Sequence, residues 1–218
     1  MNKDPYGRIA RWYDRLMRSQ TAGLHAIGIR LYRPRAGESV LDVGCGTGSQ
    51  LSWYQKAGCQ LAGIDPSPAM LAVAKEKLAP EADLRLGDAA QLPFDDGVFD
   101  LVTVSLMIHE LPPAARDVVI GEIKRVLKED GRILFIDFHP GPIKFYEGWL
   151  NKVVIIVFEL GAGWNHFRNH LHFLGHNGLI ALAAAHQLSI KRERIVGGGT
   201  MAVMLMAKDS ETAAGLGS

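Results

Sequence analysis

Acidic residues recur in this chain at one kind of place, the end of a short apolar run. Val40-Leu41-Asp42-Val43 reads as a buried strand and leads into Gly44-Cys45-Gly46-Thr47-Gly48. Glycine at 44, 46 and 48 suits a tight turn that a ligand approaches closely. The helix expected from Ser49 to Lys56 would offer its free N–H groups to an anion. A second run, Gln60 to Ile64, ends at Asp65. A carboxylate there accepts from both hydroxyls of a ribose; the competing reading is an Asx-turn ahead of Pro66. Asp83 to Leu86 ends at Gly87-Asp88-Ala89, where Asp88 can accept from an adenine amino group and the following N–H can donate to a ring nitrogen. Histidine takes up protons near neutral pH, which singles out His109, His139, His166 and His170, with Asp137 two residues before His139.

The glycine spacing departs from two familiar phosphate-binding turns. A dinucleotide fingerprint is G-x-G-x-x-G, and its third glycine is replaced here by Ser49, which disfavours NAD. No Gly-Lys-Ser/Thr follows, so the turn is not a P-loop.

The elements that must carry these residues alternate. Strands are expected at 40–43, 60–64, 83–86, 99–105 and 132–138, each of the first four followed by a turn and helical spacing. Ser67 is a good N-cap, Pro68 a good first helical residue, and Met70, Leu71, Ala74 and Leu78 form one face. Pro112-Pro113 opens a further helix, with Gly131 as its stop. Two helical pieces, Tyr6 to Arg18 and Leu24 to Tyr32, precede the first strand. Leu188 to Val196 and Thr200 to Lys208, joined by three glycines, read as a closing antiparallel hairpin. The fold class expected is α/β, a Rossmann-like doubly wound sheet, mostly parallel, with a C-terminal antiparallel hairpin and a helical lid. One domain is expected over 1–218: a helical cap at 1–35, a core at 36–140, the lid at 141–186, the hairpin at 187–208 and a disordered tail at 209–218.

Lys+Arg of 24 against Asp+Glu of 23 leaves a net charge of +1, with no basic excess to attract nucleic acid. The two cysteines make neither a disulfide scaffold nor a zinc site. The N-terminus lacks an apolar signal core, and the apolar stretch Trp149 to Leu160 is too short and polar to span a bilayer. A cytoplasmic location follows, as monomer or homodimer; transient contact with a membrane surface is compatible with this composition.

Taken together, Leu41-Asp-Val-Gly-Cys-Gly-Thr-Gly48, Gly63-Ile-Asp-Pro-Ser67, Gly87-Asp88-Ala89 with Leu92-Pro93-Phe94, Phe99-Asp100 and Gly131-Arg132-Ile133-Leu134 resemble class I S-adenosylmethionine (SAM)-dependent methyltransferases. The branch resembled includes ubiquinone/menaquinone-biosynthesis and phospholipid N-methyltransferases. The resemblance implies SAM as cofactor. Gly44, Cys45, Gly46 and Gly48 would hold its methionine portion, with Asp42 near the amino group. Asp65, with Pro66 and Met70, would serve the ribose, Asp88 and Ala89 the adenine, and Ser105 and Leu106 the methionine end. It also implies methyl transfer to a small-molecule substrate, lipophilic or ring-containing, such as a quinone precursor or a lipid headgroup. Where the acceptor must lose a proton, His109, His139 and Asp137 are the candidate catalytic groups. Tyr6, Tyr13, His166, Arg168 and His170 are the candidate substrate contacts. His166 and His170 have metal-ligand spacing, but their segment offers no clear carboxylate or thiolate partner, so no metal is expected. The alternative function is a SAM-binding sensor or assembly partner without methyl transfer.

Overall fold

The computed structural model describes residues 4, 7, 10–143, 148–149, 152, 155–156 and 163–209. Its strands are β1 (Ser39–Val43), β2 (Gln60–Asp65), β3 (Asp83–Leu86), β4 (Phe99–Ser105), β5 (Leu127–Phe138), β6 (Leu188–Val196) and β7 (Met201–Lys208). They form one seven-stranded sheet in the order β3-β2-β1-β4-β5-β7-β6. The first five pair in parallel, whereas β7 runs antiparallel to both β5 and β6. The helices are α1 (Ala10–Tyr32), α2 (Leu51–Lys56), α3 (Pro68–Lys77), α4 (Pro113–Val126), α5 (Trp164–Gly175) and α6 (Gly178–Ala185).

Central strands alternate their side chains between two cores, as the two-residue period of a strand requires. Leu41, Val43, Ile133, Phe135, Met204 and Met206 pack with residues of α4, α5 and α6. Val40, Leu134, Ile136, Val203 and Leu205 pack with Leu31 of α1, Leu51 and Tyr54 of α2, and Leu71 of α3. Covering both faces explains the near-continuous apolar runs.

Register gathers the strand ends. Val43 pairs with both Ile64 and Val104, Asp65 with Leu86, and Ser105 with Ile136. Gly44, Asp65, Ser105 and Asp137 therefore share one rim. Strand order reverses between β1 and β4, and such a reversal opens a ligand crevice at the carboxyl ends.

Three boundaries differ from expectation. The two N-terminal helical pieces are one helix, α1. Gly28 lies inside it, and a Cβ there would come 2.7 Å from Leu134 Cδ2; the glycine lets the helix settle on the sheet. Helix α4 stops at Val126 rather than at Gly131, and β5 starts at Leu127 rather than at Arg132. Leu127 is already extended and pairs with Phe99, and the register shifts between Phe99 and Leu101. Gly131 serves that irregularity, since a Cβ there would lie 2.7 Å from Leu127 Cδ1. Helix α2 begins at Leu51, after a turn that includes Ser49. The expected disordered tail, beyond Asp209, lies outside the described residues, as does part of the lid.

Candidate active site

The glycine turn is held from beneath. Gly44 and Cys45 donate their N–H groups to the Ile64 carbonyl, and Gly46 N–H donates to Asp65 Oδ2 at 2.8 Å. Gly44, Gly46 and Gly48 all have positive φ, which only glycine adopts without strain. A Cβ on Gly46 would meet nothing within 4 Å, so the turn faces open space there. The Cys45 side chain turns the other way, against Gly63, and burial pushes its thiol up. Only its backbone can serve a ligand.

Asp65 is buried, and its Oδ1 accepts from Ser67 N–H at 2.9 Å. The Asx-turn reading is thus realised, yet a carboxylate has about four acceptor directions and two are used here. Desolvation raises its pKa in spite of the two N–H donors. Asp42 lies beneath the turn, accepts from Thr103 Oγ1 at 2.7 Å, and is pushed up to about 7 by burial and by the charge of Asp65. Among the described residues no cation pairs with it. Asp88 is exposed and its Oδ1 accepts from Ala90 N–H, closing a turn around Ala89. Pro66 is exposed and Met70 is buried, its N–H capped by Ser67 Oγ.

Along the rim, Ser105 and Leu106 are half-buried, Leu106 in a left-handed conformation (φ 55°) with its N–H on the Ile136 carbonyl. Met107 lies over Gly44, where a Cβ would come 3.1 Å from its Cγ. The chain then enters a 3₁₀ turn, Ile108–Glu110, and buries His109. His109 Nδ1 lies 2.6 Å from Asp137 Oδ1. That carboxylate also accepts from the N–H groups of Phe138 and His109, so Nδ1 is the donor in this pair. The His109 ring is walled by Phe138, His166 and His170, with centroids 4.6, 5.6 and 5.5 Å away.

Of the expected site residues, the structure therefore brings His109, Asp137, His166 and His170 together. His139 stands apart: its Nδ1 lies 3.2 Å from both the Gly199 carbonyl and the Gly141 N–H, serving one at a time, which ties the rim to the hairpin turn. Arg168 is exposed on α5. Tyr6 and the side chain of Tyr13 lie outside the described residues.

Sequence reasoning missed four supports. Asp4 caps α3 through Ser67 Oγ and Ala69 N–H. Asp14 of α1 accepts from Thr47, Ser49 and Lys77, bracing the glycine turn from outside; burial raises its pKa, but these donors more than offset that and hold the carboxyl below its ordinary value. Arg116, buried, donates to the carbonyls of Ile108, His109 and Asn169 and so pins the 3₁₀ turn to α5. Glu110 stands beside His166, its Oε1 3.9 Å from His166 Nε2. The nearest signal for the last two was a charged residue within or directly before an apolar helix pattern.

On this Rossmann-like rim the described residues thus offer an open glycine turn, a buried carboxylate with no cation among them, and a second carboxylate with acceptor capacity to spare. Their chemistry is compatible with the roles the resemblance implies for SAM: Asp42 toward an ammonium group, the turn toward the methionine portion, Asp65 toward the ribose. Residues 41–135 match the family described as "Methyltransferase domain". The chain is 31% identical over 170 residues to an uncharacterized methyltransferase of Synechocystis, covering 77% of this chain and 74% of that one. It is 33% identical over 138 residues to the ubiquinone/menaquinone biosynthesis C-methyltransferase UbiE of Rubrivivax gelatinosus, covering 61% of this chain but only 54% of that one. The PH0226 protein of Pyrococcus horikoshii has the same fold, with a TM-score of 0.63 at 20% identity over 88% of this chain and 91% of that one. The chain belongs to the class I SAM-dependent methyltransferases. Its cofactor is SAM.

Proposed function

We propose that this enzyme methylates a small, ring-containing acceptor that carries an ionisable hydroxyl, of the quinol or phenol type. The observation that carries this reading is the His109–Asp137 pair, buried on the same rim as the glycine turn and lined by aromatic rings. A flat, lipophilic acceptor with one polar pole suits such walls. The relatives named for ubiquinone/menaquinone and demethylmenaquinone methylation support the acceptor class.

SAM supplies an already activated methyl group, so the protein's tasks are to orient the acceptor and exclude water. Asp137 fixes the His109 ring so that Nε2 faces the acceptor's oxygen. Glu110 and His166 flank that position, and the acceptor's proton leaves on this side. His170 of α5, against the rings of His109 and Phe138, closes the site from that helix. The two cysteines are free thiols, in keeping with a reducing cytoplasm.

The test is turnover with methyl-labelled SAM and a panel of demethylated quinols, catechols and phospholipid headgroups. Label is expected in the phenolic acceptors. Label in headgroup amines alone, or SAM binding without any labelled product, would overturn the reading.

A further inference from the structure

We propose that His109 Nε2, His166 and Glu110 form a binding site for a divalent first-row transition ion, zinc by preference, whose open positions take the acceptor's oxygen. This rests on the reading above that the oxygen lies at this cluster, and it adds a metal to that reading.

The three side chains each offer one ligand atom, and these atoms lie within 4.8 Å of one another. On a tetrahedral zinc ion, ligand atoms stand ~3.4 Å apart. Glu110 and His166, at 3.9 Å, are too far apart for a hydrogen bond and close to the spacing of two ligands on one ion. His109 is fixed, whereas the side chains of His166 and Glu110 are 21% and 37% exposed and have room to close by small rotations.

The surroundings are those of a built site. A metal-bound histidine commonly donates its other ring N–H to a carboxylate, which orients the ring and strengthens it as a donor. Asp137 does this for His109 at 2.6 Å, held in turn by the Phe138 N–H. Asn169 Nδ2 donates to the Glu110 carbonyl, and Arg116 bridges the 3₁₀ turn to α5, so both ligand-bearing elements are locked together. Glu110 and Asp137 supply two negative charges to offset a dication. Two imidazoles and one carboxylate select zinc, cobalt or ferrous iron over magnesium or calcium, which prefer all-oxygen sets.

Three protein ligands leave coordination positions open, which distinguishes catalytic from structural zinc sites. An acceptor hydroxyl bound there ionises more readily, its proton passing through Glu110 to water. The acceptor's nucleophilic atom then forms a bond to the methyl carbon. The carbon–sulfur bond breaks, with its electron pair going to sulfur as S-adenosylhomocysteine. Where the nucleophile is a ring carbon, the ring proton is lost as aromaticity returns.

The experiment titrates chelator-treated, full-length protein with Co2+, read by visible absorption, and then with Zn2+ in competition. One equivalent is expected to bind at micromolar or tighter concentration. His166→Ala and Glu110→Gln should each weaken binding by about a hundred-fold while retaining S-adenosylhomocysteine affinity. His176→Ala, on the exposed end of the same segment, should bind as the parent does. Millimolar binding, or binding that both ligand variants leave unchanged, would overturn the site. Undiminished methylation of phenolic acceptors by metal-free protein would overturn the ion's role and leave the acceptor reading standing. A tight, variant-sensitive ion with no phenolic product would overturn the acceptor reading instead.

Discussion

Asp42 offers the sharpest check on how the cofactor is held. Its carboxyl is wholly buried, has one hydroxyl donor, and titrates near pH 7 because burial and Asp65 oppose its charge. The bound form should pair Asp42 as carboxylate with the ligand's amino group as ammonium. Between pH 7.4 and pH 6 the charged fraction of Asp42 falls about eight-fold, whereas the ligand's ammonium, that of a free amino acid, loses its proton only on the alkaline side of this range. Calorimetric titration with S-adenosylhomocysteine between pH 6 and 9 should therefore trace a bell. Asp42→Asn keeps the shape and the contact with Thr103 but removes the charge. Its affinity at pH 7.4 should fall about ten- to hundred-fold, the worth of a charge-assisted hydrogen bond. Its acid limb should vanish while the alkaline limb remains. The variant must not be weaker as a fold: a raised folded pKa gives stability below pH 3.8 that is lost as pH rises through about 7, so Asp42→Asn should unfold no more easily than the parent at pH 7.4. An acid limb that persists in Asp42→Asn, or a flat parent profile from pH 6 to 7.4, would refute the pairing.

Two further predictions concern the scaffold. His25 of α1 is buried, and desolvation, with the charge of Lys77, lowers its pKa from 6.5 to about 4. Its depressed folded value means that stability is full above pH 6.5 and falls toward pH 4, by about 3 kcal/mol; denaturant melts should show this loss, and His25→Leu should remove it, so an unchanged pH slope in the variant would refute the assignment. Arg116→Met removes the donor that serves three carbonyls while keeping much of the packing. It should cost about 3 kcal/mol in chemical denaturation, and a loss under about 0.5 kcal/mol would show that the guanidinium does not pin the 3₁₀ turn to α5.

What was legible in the sequence is what the local chain dictates. Val40–Val43 followed by alternating glycines, Asp65 before Pro66, and Ser67-Pro68 opening α3 each settle their geometry within a few residues, and their positions on one rim follow from the alternation of strand and helix. Boundaries failed where a distant partner outvoted local preference. Leu127 reads as helix until Phe99 pairs with it.

The site follows the same division. His166 and His170 have ligand spacing but no acid in their own segment, and Glu110, marked only by its place before an apolar helix pattern, arrives from the turn after β4. That approach depends on Arg116, a charge in an otherwise apolar helix face, reaching carbonyls on both elements. In this chain the residues assigned to the cofactor are therefore encoded in short stretches, each next to a strand end. Those proposed for the acceptor are encoded in pairs that meet only through tertiary packing. The acceptor side can then change by substitution at α5 or the 3₁₀ turn while β1, its glycine turn and Asp65 stay as they are. Such separation matches a sheet rim whose two halves are covered by different helices.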